Sequence, residues 1–239
     1  EIVEWMAWVL STRNMDVLAY EAWVLTDVIC SRLKVPTTGQ VYWQAESCRR
    51  LGWTRYCNLI LLASSHAPSE DSSVVAHVDV EEDQLKAVRG RLLNDLSRFG
   101  DAAKLLVSSK ESACLVAYVD AILHYRGDLS HAMINSKRAL KYIINELRAI
   151  TKQAKITEVH TPRTISVAGA SIDICANPVD PFGRLQIRKL LELVYCLCQL
   201  ADLYNRVDAV EDARYFSRKS QELAILLNME GTKTMTKLL

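Results

Sequence analysis

Residues 187–224 read IRKLLELVYCLCQLADLYNRVDAVEDARYFSRKSQELA, and this stretch decides the fold. Apolar residues recur every three or four positions on both sides of a short polar segment, which is the spacing of two amphipathic helices. The first helix carries Ile187, Leu190, Leu191, Val194, Leu197, Leu200 and Ala201, and the second carries Val210, Ala213, Phe216, Ser220, Leu223 and Ala224. We therefore predict a helical hairpin with Asp208 at its turn or at the N-cap of its second helix.

The same spacing runs through most of the chain, and residues that break helices are few. The 239 residues contain only 8 Gly and 5 Pro, whereas strand-rich proteins need more frequent turns. This predicts an all-α protein with two irregular loops. We predict helical hairpins in 1–63, an acidic Ser-rich loop in 64–83, helical repeats in 84–150, a Pro-containing linker in 151–181 and a helical hairpin in 182–239. A short β-like run from Thr164 to Val167 either pairs with another segment or stays irregular.

Composition limits the classes of partner and the compartment. Lys and Arg number 29 against 28 Asp and Glu, so no basic excess indicates nucleic acid as a partner. No apolar run approaches the roughly 20 residues that span a bilayer, so we predict no membrane partner. Seven cysteines without a C-x-x-C pattern are typical of reduced thiols in a cytoplasmic and nuclear protein. Because the chain begins at Glu1 inside a helical pattern, we expect it to be part of a longer protein whose adjacent domains contact it; a processed terminus would give the same pattern.

The sequence predicts no catalytic residue, no cofactor and no metal ligand. Phosphate-binding glycine motifs, nucleophile elbows and H-E-x-x-H are absent from it. Cys114, His124 and His131 come closest to a Cys–His pair, but Cys114 stands in an apolar Ala-Cys-Leu-Val-Ala stretch, which favours a buried structural thiol. Cys196 and Cys198 are two positions apart and would point to different sides of a helix.

Two places share the spacing of tetratricopeptide hairpins. Gly127 precedes Ala132 by five positions, and Tyr204 follows Ala201 by three positions. The small residues are Ala132, Ala139, Ala201 and Ala213. Small side chains at these positions let neighbouring helices approach closely, while Tyr204 fills the space beside them. We predict an α-solenoid of tetratricopeptide-like helical hairpins.

The last hairpin resembles a known family. Phe182-Gly183-Arg184 opens a helix that continues as LVYCLCQLADLY at 193–204, and VEDARYFS follows at 210–217. GDLSHAMINSKRA at 127–139 has the look of the preceding hairpin. These motifs resemble the helical-repeat region of separase in its fungal form, in which an aromatic residue opens a helix, an L-x-x-L-x-x-L-Y turn follows, and an A-x-Y-Y/F segment comes next.

The resemblance implies a scaffold within a larger enzyme. Separase is the cysteine protease that cleaves the cohesin kleisin subunit at anaphase, and its catalytic Cys–His dyad belongs to a separate caspase-like domain. No residue of this chain matches that dyad. The implied partner is securin, an extended peptide inhibitor. The alternative is a tetratricopeptide-like adaptor of another complex, such as a cohesin loader or a ubiquitin ligase, with no protease attached.

Two groups of residues are candidates for partner contacts. Lys137, Arg138, Lys141 and Arg148 follow one another along a predicted helix and form either a solvated outer face or a surface for an acidic peptide. The acidic loop of the same chain is a further candidate occupant of that face. The five tryptophans, at 5, 8, 23, 43 and 53, either line a ligand groove or pack between helices, and their helical spacing favours packing. Trp43 and Trp53 are predicted to be the more exposed because they flank turns.

Overall fold

The computed structural model describes residues 2–13, 15–33, 40–65, 75–154, 163–174 and 181–227. Within these ranges the chain forms ten helices and one two-stranded hairpin, so the predicted all-α class is confirmed. The chain divides into two compact units, Glu1–Tyr125 and Arg126–Leu239. In the described ranges, no helix has both the length and the apolar character that crossing a bilayer requires.

The described residues of the N-terminal unit form seven helices. They are α1 (Ile2–Thr12), α2 (Asp16–Leu33), α3 (Gln40–Arg50), α4 (Thr54–Ser65), α5 (Val75–Asp95), α6 (Phe99–Leu106) and α7 (Ser112–Arg126). Helices adjacent in the chain pack against each other from α1 to α6, and α3 also packs against α5. The α5–α6 contact is close, because a Cβ built on Gly90 would lie 2.5 Å from Leu106 Cδ1.

The C-terminal unit consists of α8 (Leu129–Ala154), β1 (Arg163–Val167), β2 (Ala170–Ile174), α9 (Pro181–Arg206) and α10 (Val210–Leu226). Helix α9 packs against both α8 and α10, which explains why its apolar residues surround most of its circumference. Among the fully buried side chains are Leu190, Leu193, Leu197, Leu200 and Leu203. The hairpin packs on α8 through β2.

Two predicted segment boundaries need correction. The loop predicted at 64–83 is shorter, because α4 continues to Ser65 and α5 begins at Val75. The acidic residues that suggested a loop after Val75 are tolerated on a helix. The linker predicted at 151–181 contains the β1–β2 hairpin, α8 extends to Ala154, and α9 starts with Pro181, whose fixed φ suits the first helical position. The remaining parts of both segments, 66–74, 155–162 and 175–180, lie outside the described residues.

The hairpin predicted from residues 187–224 is present as α9 and α10. The ring of Tyr204 stacks on that of Phe216, with 5.4 Å between their centroids. Asp208 lies in the turn with a φ of 58°, and the N-cap position of α10 is Ala209. Ala132, Ala139, Ala201 and Ala213 are all buried, as close helix packing requires. The two helices have 26 and 17 residues, which together exceed the roughly 34 residues of a tetratricopeptide unit.

The start of α8 follows from its local sequence. Gly127 adopts a φ of 63°, a backbone conformation that favours glycine and commonly ends a helix. Asp128 then accepts a hydrogen bond through Oδ1 from the backbone N–H of His131 at 2.9 Å. This bond satisfies one of the N–H groups that lack a partner in the first turn of a helix.

The exposure predicted for the tryptophans is correct for Trp53 and wrong for Trp43. Trp43 is 4% exposed and lies edge-on to Trp8, with 5.6 Å between the ring centroids, so its predicted exposure is wrong. It belongs to α3, which packs against α2, α4 and α5 and is therefore enclosed even near its start. Trp53 is 40% exposed, as predicted, and Trp5 is 42% exposed.

A buried network of charged groups joins several helices of the N-terminal unit. Glu46, 3% exposed, accepts two hydrogen bonds from the Arg49 guanidinium at 2.9 and 3.0 Å. The guanidiniums of Arg50 and Arg91 lie 3.2 and 3.4 Å from its oxygens. Arg49 also pairs with Asp95 at 2.6 Å. The surrounding guanidiniums outweigh the effect of burial and hold the pKa of Glu46 well below its usual range, so the carboxylate stays ionised.

Candidate protein-binding site

The exposed face of α8 is cationic. Up to Lys152, its exposed residues are Ser130, His131, Ile134, Lys137, Arg138, Lys141, Asn145, Arg148, Ala149 and Lys152. None of them is acidic. All four residues predicted from the sequence are on this helix and exposed, and Lys152 continues the series. At 100° per residue, Lys137, Lys141, Arg148 and Lys152 lie within about 60° of one another, along about 22 Å of helix. We call these four residues the cationic face.

The individual cations have different surroundings. The ammonium of Lys137 lies over the Tyr204 ring, 5.3 Å from its centroid. Arg138 lies to one side of the cationic face, where its guanidinium donates to the Tyr142 hydroxyl at 3.3 Å. Among the described residues, Lys141 and Arg148 form no ion pair with a carboxylate. The four predicted residues thus share one helix, but Arg138 is directed to a neighbour on that helix.

Sequence reasoning missed Lys152 because it ended the helix at residue 150. Lys152 follows Arg148 by four positions, so a longer helix would have placed the two side chains in one row. It is exposed, and within the described part of the chain it has no carboxylate partner. The signal was present in the spacing, but the helix boundary was placed too early.

A cleft lies beside the C-terminal turns of α8. Its volume is about 400 Å³, and it is lined by Arg148, Thr151, Lys152, Ser171, Ile172 and Asp173. The hairpin therefore forms one wall and α8 the other. Sequence reasoning did not predict this cleft, because it did not place the hairpin next to α8.

The hairpin is fixed to the helices by side-chain hydrogen bonds. Thr151 Oγ1 donates to the backbone carbonyl of Asp173 at 3.3 Å, and Gln186 Nε2 donates to the same carbonyl at 2.9 Å. At the other end, the backbone N–H of Ala168 donates to the Tyr215 hydroxyl at 2.8 Å. Ile165, Val167, Ala170 and Ile172 are buried. The cleft is thus built on a supported hairpin.

Helix α10 of the same unit has a different surface. Its exposed residues are Val210, Glu211, Asp212, Arg214, Tyr215, Arg218, Ile225 and Leu226, so both signs of charge are present. Arg214 pairs with Glu211 at 3.0 Å. Mixed charges are typical of a surface whose role is solubility. The single sign of charge on α8 is therefore not a general property of the unit.

The N-terminal unit has an apolar surface. Five large apolar residues of α2 are 38–50% exposed: Val17, Leu18, Val24, Leu25 and Val28. They recur at helical spacing and form a stripe, which Glu21 interrupts. Exposed apolar side chains that share one side of a helix in this way are typical of protein contact surfaces.

Among the described residues, Cys114 and His124 do not form a nucleophilic pair. Burial raises the pKa of the Cys114 thiol to about 11, so the thiol is protonated at neutral pH. Cys114 and His124 are ten residues apart on α7, about 15 Å along the axis. The His124 ring stacks on Phe99 instead, with 4.8 Å between centroids. Burial likewise raises the pKa of Cys196 to about 12.

The fold places the chain among all-α proteins. No protein-family model, no curated protein and no solved structure matches it. The assignment of a function therefore depends on the chain's own surfaces, of which the cationic face and its adjoining cleft are the most specific.

Proposed function

We propose that this chain is a non-catalytic helical scaffold that binds an extended acidic segment of a partner protein along the cationic face of α8. The single observation that carries the proposal is the surface of α8 up to Lys152, where the described residues include exposed cations and no exposed carboxylate. Lys141, Arg148 and Lys152 have no carboxylate partner among the described residues, so an acidic ligand need not displace an existing ion pair. Electrostatic complementarity of this kind steers association and selects partners.

An extended segment fits the face better than a compact domain. The cations follow a narrow row of about 22 Å, which corresponds to about seven residues of extended chain. Tyr204, beside Lys137, provides aromatic surface at one end of the row. The exposed apolar stripe of α2 supports the same general class, because it is a second surface suited to protein contact.

At a finer level, we propose that the chain is the helical-repeat region of a separase and that the acidic segment is that of a securin. The motifs at 127–139, 182–204 and 210–217 support this assignment, as does the burial of the small residues that the repeat pattern requires. The corresponding architecture is an α-solenoid of tetratricopeptide-like hairpins. The alternative, an adaptor subunit with no protease attached, would use the same surface for a different acidic partner.

The test is a binding titration by fluorescence anisotropy with a labelled securin-like peptide. We expect salt-sensitive binding, because exposed charges are screened within about 8–10 Å at physiological salt. The double variant Lys137→Glu/Lys141→Glu should weaken binding at least about tenfold, since each reversal replaces attraction with repulsion. Lys104→Glu is the matched control, because Lys104 is an exposed lysine on α6 in the other unit.

The outcomes separate the two levels of the proposal. Equal binding of the securin-like peptide and a scrambled peptide of the same composition would favour the general adaptor over the separase assignment. A cohesin-subunit peptide that binds in place of the securin-like peptide would also favour the adaptor. Binding that the double variant leaves unchanged, or the absence of binding to every acidic peptide, would contradict the use of the cationic face.

A further inference from the structure

The cleft between α8 and β2 adds a concave site to one end of the cationic face. Arg148 and Lys152, two members of the cationic face, also line the cleft. They are one helical turn apart, so their side chains start about 5–6 Å from each other. Neither has a carboxylate partner in the described parts of the chain. Two cations that form no ion pair with a described residue therefore line one small volume, together with the carboxylate of Asp173.

The opposite wall contributes a strand edge. The β1–β2 hairpin is antiparallel, and Ala168 and Gly169 form a two-residue turn between Val167 and Ala170. Along such a hairpin, residue pairs that exchange backbone hydrogen bonds alternate with pairs that do not. The pair next to the turn, Val167 and Ala170, exchanges them. The following pair, Ser166 and Ser171, does not, so the backbone N–H of Ser171 points away from β1.

The neighbouring residue on the same edge supports this geometry. Asp173 belongs to the next pair that exchanges no hydrogen bonds with β1. Its backbone carbonyl accepts hydrogen bonds from Thr151 and Gln186, on the side away from β1. Ser171 also has an exposed side chain with a hydroxyl group. The cleft thus combines two cations with a backbone N–H and a hydroxyl, all of which can donate to an anion.

We propose that this cleft binds the phosphate of a phosphoserine or phosphothreonine in the extended acidic segment. The inference rests on the proposed function and assigns a specific contact within it. A phosphate monoester has a charge of about −1.5 to −2 and three acceptor oxygens, so it can accept from both cations and from the strand edge at once. A carboxylate has two oxygens and a single charge.

The carboxylate of Asp173 sets the position of the phosphate within the cleft. It is half-buried and accepts a hydrogen bond from the Thr164 hydroxyl at 3.1 Å. With Arg148 and Lys152 on the other wall, the described lining residues carry one net positive charge. The phosphate therefore binds toward the α8 wall and Ser171, away from Asp173. A phosphate mark would then regulate how tightly the segment binds.

A structural explanation makes a different prediction. Cations in the last turns of a helix interact favourably with its negative end, and Lys152 is in the last turn of α8. If this were the whole role of the two residues, the chain would show no preference for a phosphorylated peptide over an unphosphorylated one.

The experiment measures this preference with the full chain. Three labelled peptides share one Asp-, Gly- and Ser-containing sequence and carry serine, phosphoserine or aspartate at the central position. We expect the phosphoserine peptide to bind about tenfold more tightly than the serine peptide, with the aspartate peptide between them. Inorganic phosphate in millimolar excess should compete with the phosphoserine peptide more strongly than chloride does at the same ionic strength.

The variants locate the preference. Arg148→Gln/Lys152→Gln should reduce the ratio of the two affinities to near one, whereas Arg148→Lys, which keeps the charge, should retain most of it. Lys137→Gln/Lys141→Gln should weaken both peptides and leave the ratio unchanged. Lys104→Gln is the control for charge elsewhere. Circular dichroism and urea unfolding of each variant establish that it is folded.

The two proposals fail in different ways. If the three peptides bind equally and Lys137→Gln/Lys141→Gln weakens them all, the phosphate site is overturned and the scaffold function stands. A phosphate preference that survives Arg148→Gln/Lys152→Gln overturns this location for the site. If no peptide binds, both proposals are overturned.

Discussion

The buried network around Glu46 and the exposed surface of α8 use arginine and lysine in contrasting ways. In the N-terminal unit, Arg49, Arg50 and Arg91 surround the buried Glu46, and two of them also pair with other carboxylates. On α8 of the C-terminal unit, the cations are exposed, and within the described ranges most have no carboxylate partner. The contrast teaches that the setting decides the role of a charge. A buried charge needs its partners for the fold, whereas an exposed unpaired charge is available to a ligand.

The largest expected effect comes from removing the centre of the buried network. Glu46→Gln leaves Arg49 and Arg91 largely buried without their shared counter-ion, which should lower the free energy of unfolding by about 3–5 kcal/mol. Urea unfolding, monitored by circular dichroism, measures this loss of unfolding free energy. The charge-balanced variant Glu46→Leu/Arg91→Leu should lose less, because Arg49 and Arg50 keep Asp95 and Asp16. A loss below about 1 kcal/mol for Glu46→Gln would contradict the importance of the network.

The next largest effect is the pH dependence of the stability difference between the wild type and Glu46→Gln. The pKa of Glu46 is lower in the folded chain than the 4.5 of the free side chain. The ionised Glu46 therefore contributes fully to stability at a pH above its pKa in the unfolded chain. This contribution is lost as the pH falls toward its pKa in the folded chain. The difference in unfolding free energy between the wild type and Glu46→Gln should be constant at neutral pH and shrink below about pH 4.5, by at most about 1.4 kcal/mol per pH unit.

Urea titrations at a series of pH values test this sign. A difference that grows as the pH falls would mean that the fold favours the protonated form of Glu46. That result would contradict the assignment of three guanidiniums as its stabilising partners. The Glu46→Gln protein supplies the reference, because it keeps every other titrating group of the chain.

Replacing the cationic face should, in contrast, have little effect on the stability of the chain. Replacing Lys137, Lys141, Arg148 and Lys152 together by Gln should change the unfolding free energy by less than about 1 kcal/mol. Relief of repulsion between like charges four residues apart offsets the lost contact of Lys137 with Tyr204. The same variant should lose salt-sensitive binding of acidic peptides. A stability loss above about 2 kcal/mol would show instead that these cations hold α8 in place.

The smallest effect is expected for an exposed ion pair of the N-terminal unit. Arg98 and Asp101 approach to 2.7 Å, but both are about half exposed or more. Asp101→Asn should lower the unfolding free energy by about 0.5 kcal/mol or less, because water solvates both groups in either state. Urea unfolding of this variant beside Glu46→Gln compares the same pair chemistry in two settings. Equal losses would remove burial as the explanation of the contrast.

The sequence could not distinguish these two settings. Cys48-Arg49-Arg50 reads as an ordinary polar end of a helix, and its burial depends on Asp16, 34 residues before Arg50, and on Arg91 of α5. The α8 cations were identified from spacing alone, because residues three and four apart share a helix face whatever the tertiary structure. Lys152 was missed only because the helix end was placed four residues too early, and helix ends are the least certain part of any periodic pattern.

The sequence by itself determined the helical class, the α9–α10 hairpin, the turn at Gly127 and the row of cations on α8. Each of these depends on local periodicity or on the backbone preference of a single residue, which neighbouring residues in the chain are sufficient to specify. Only the tertiary structure decided that Trp43 is buried, that Glu46 collects three guanidiniums, and that β2 forms a cleft with Arg148 and Lys152. Those features join residues far apart in the chain, and their positions depend on how whole helices pack.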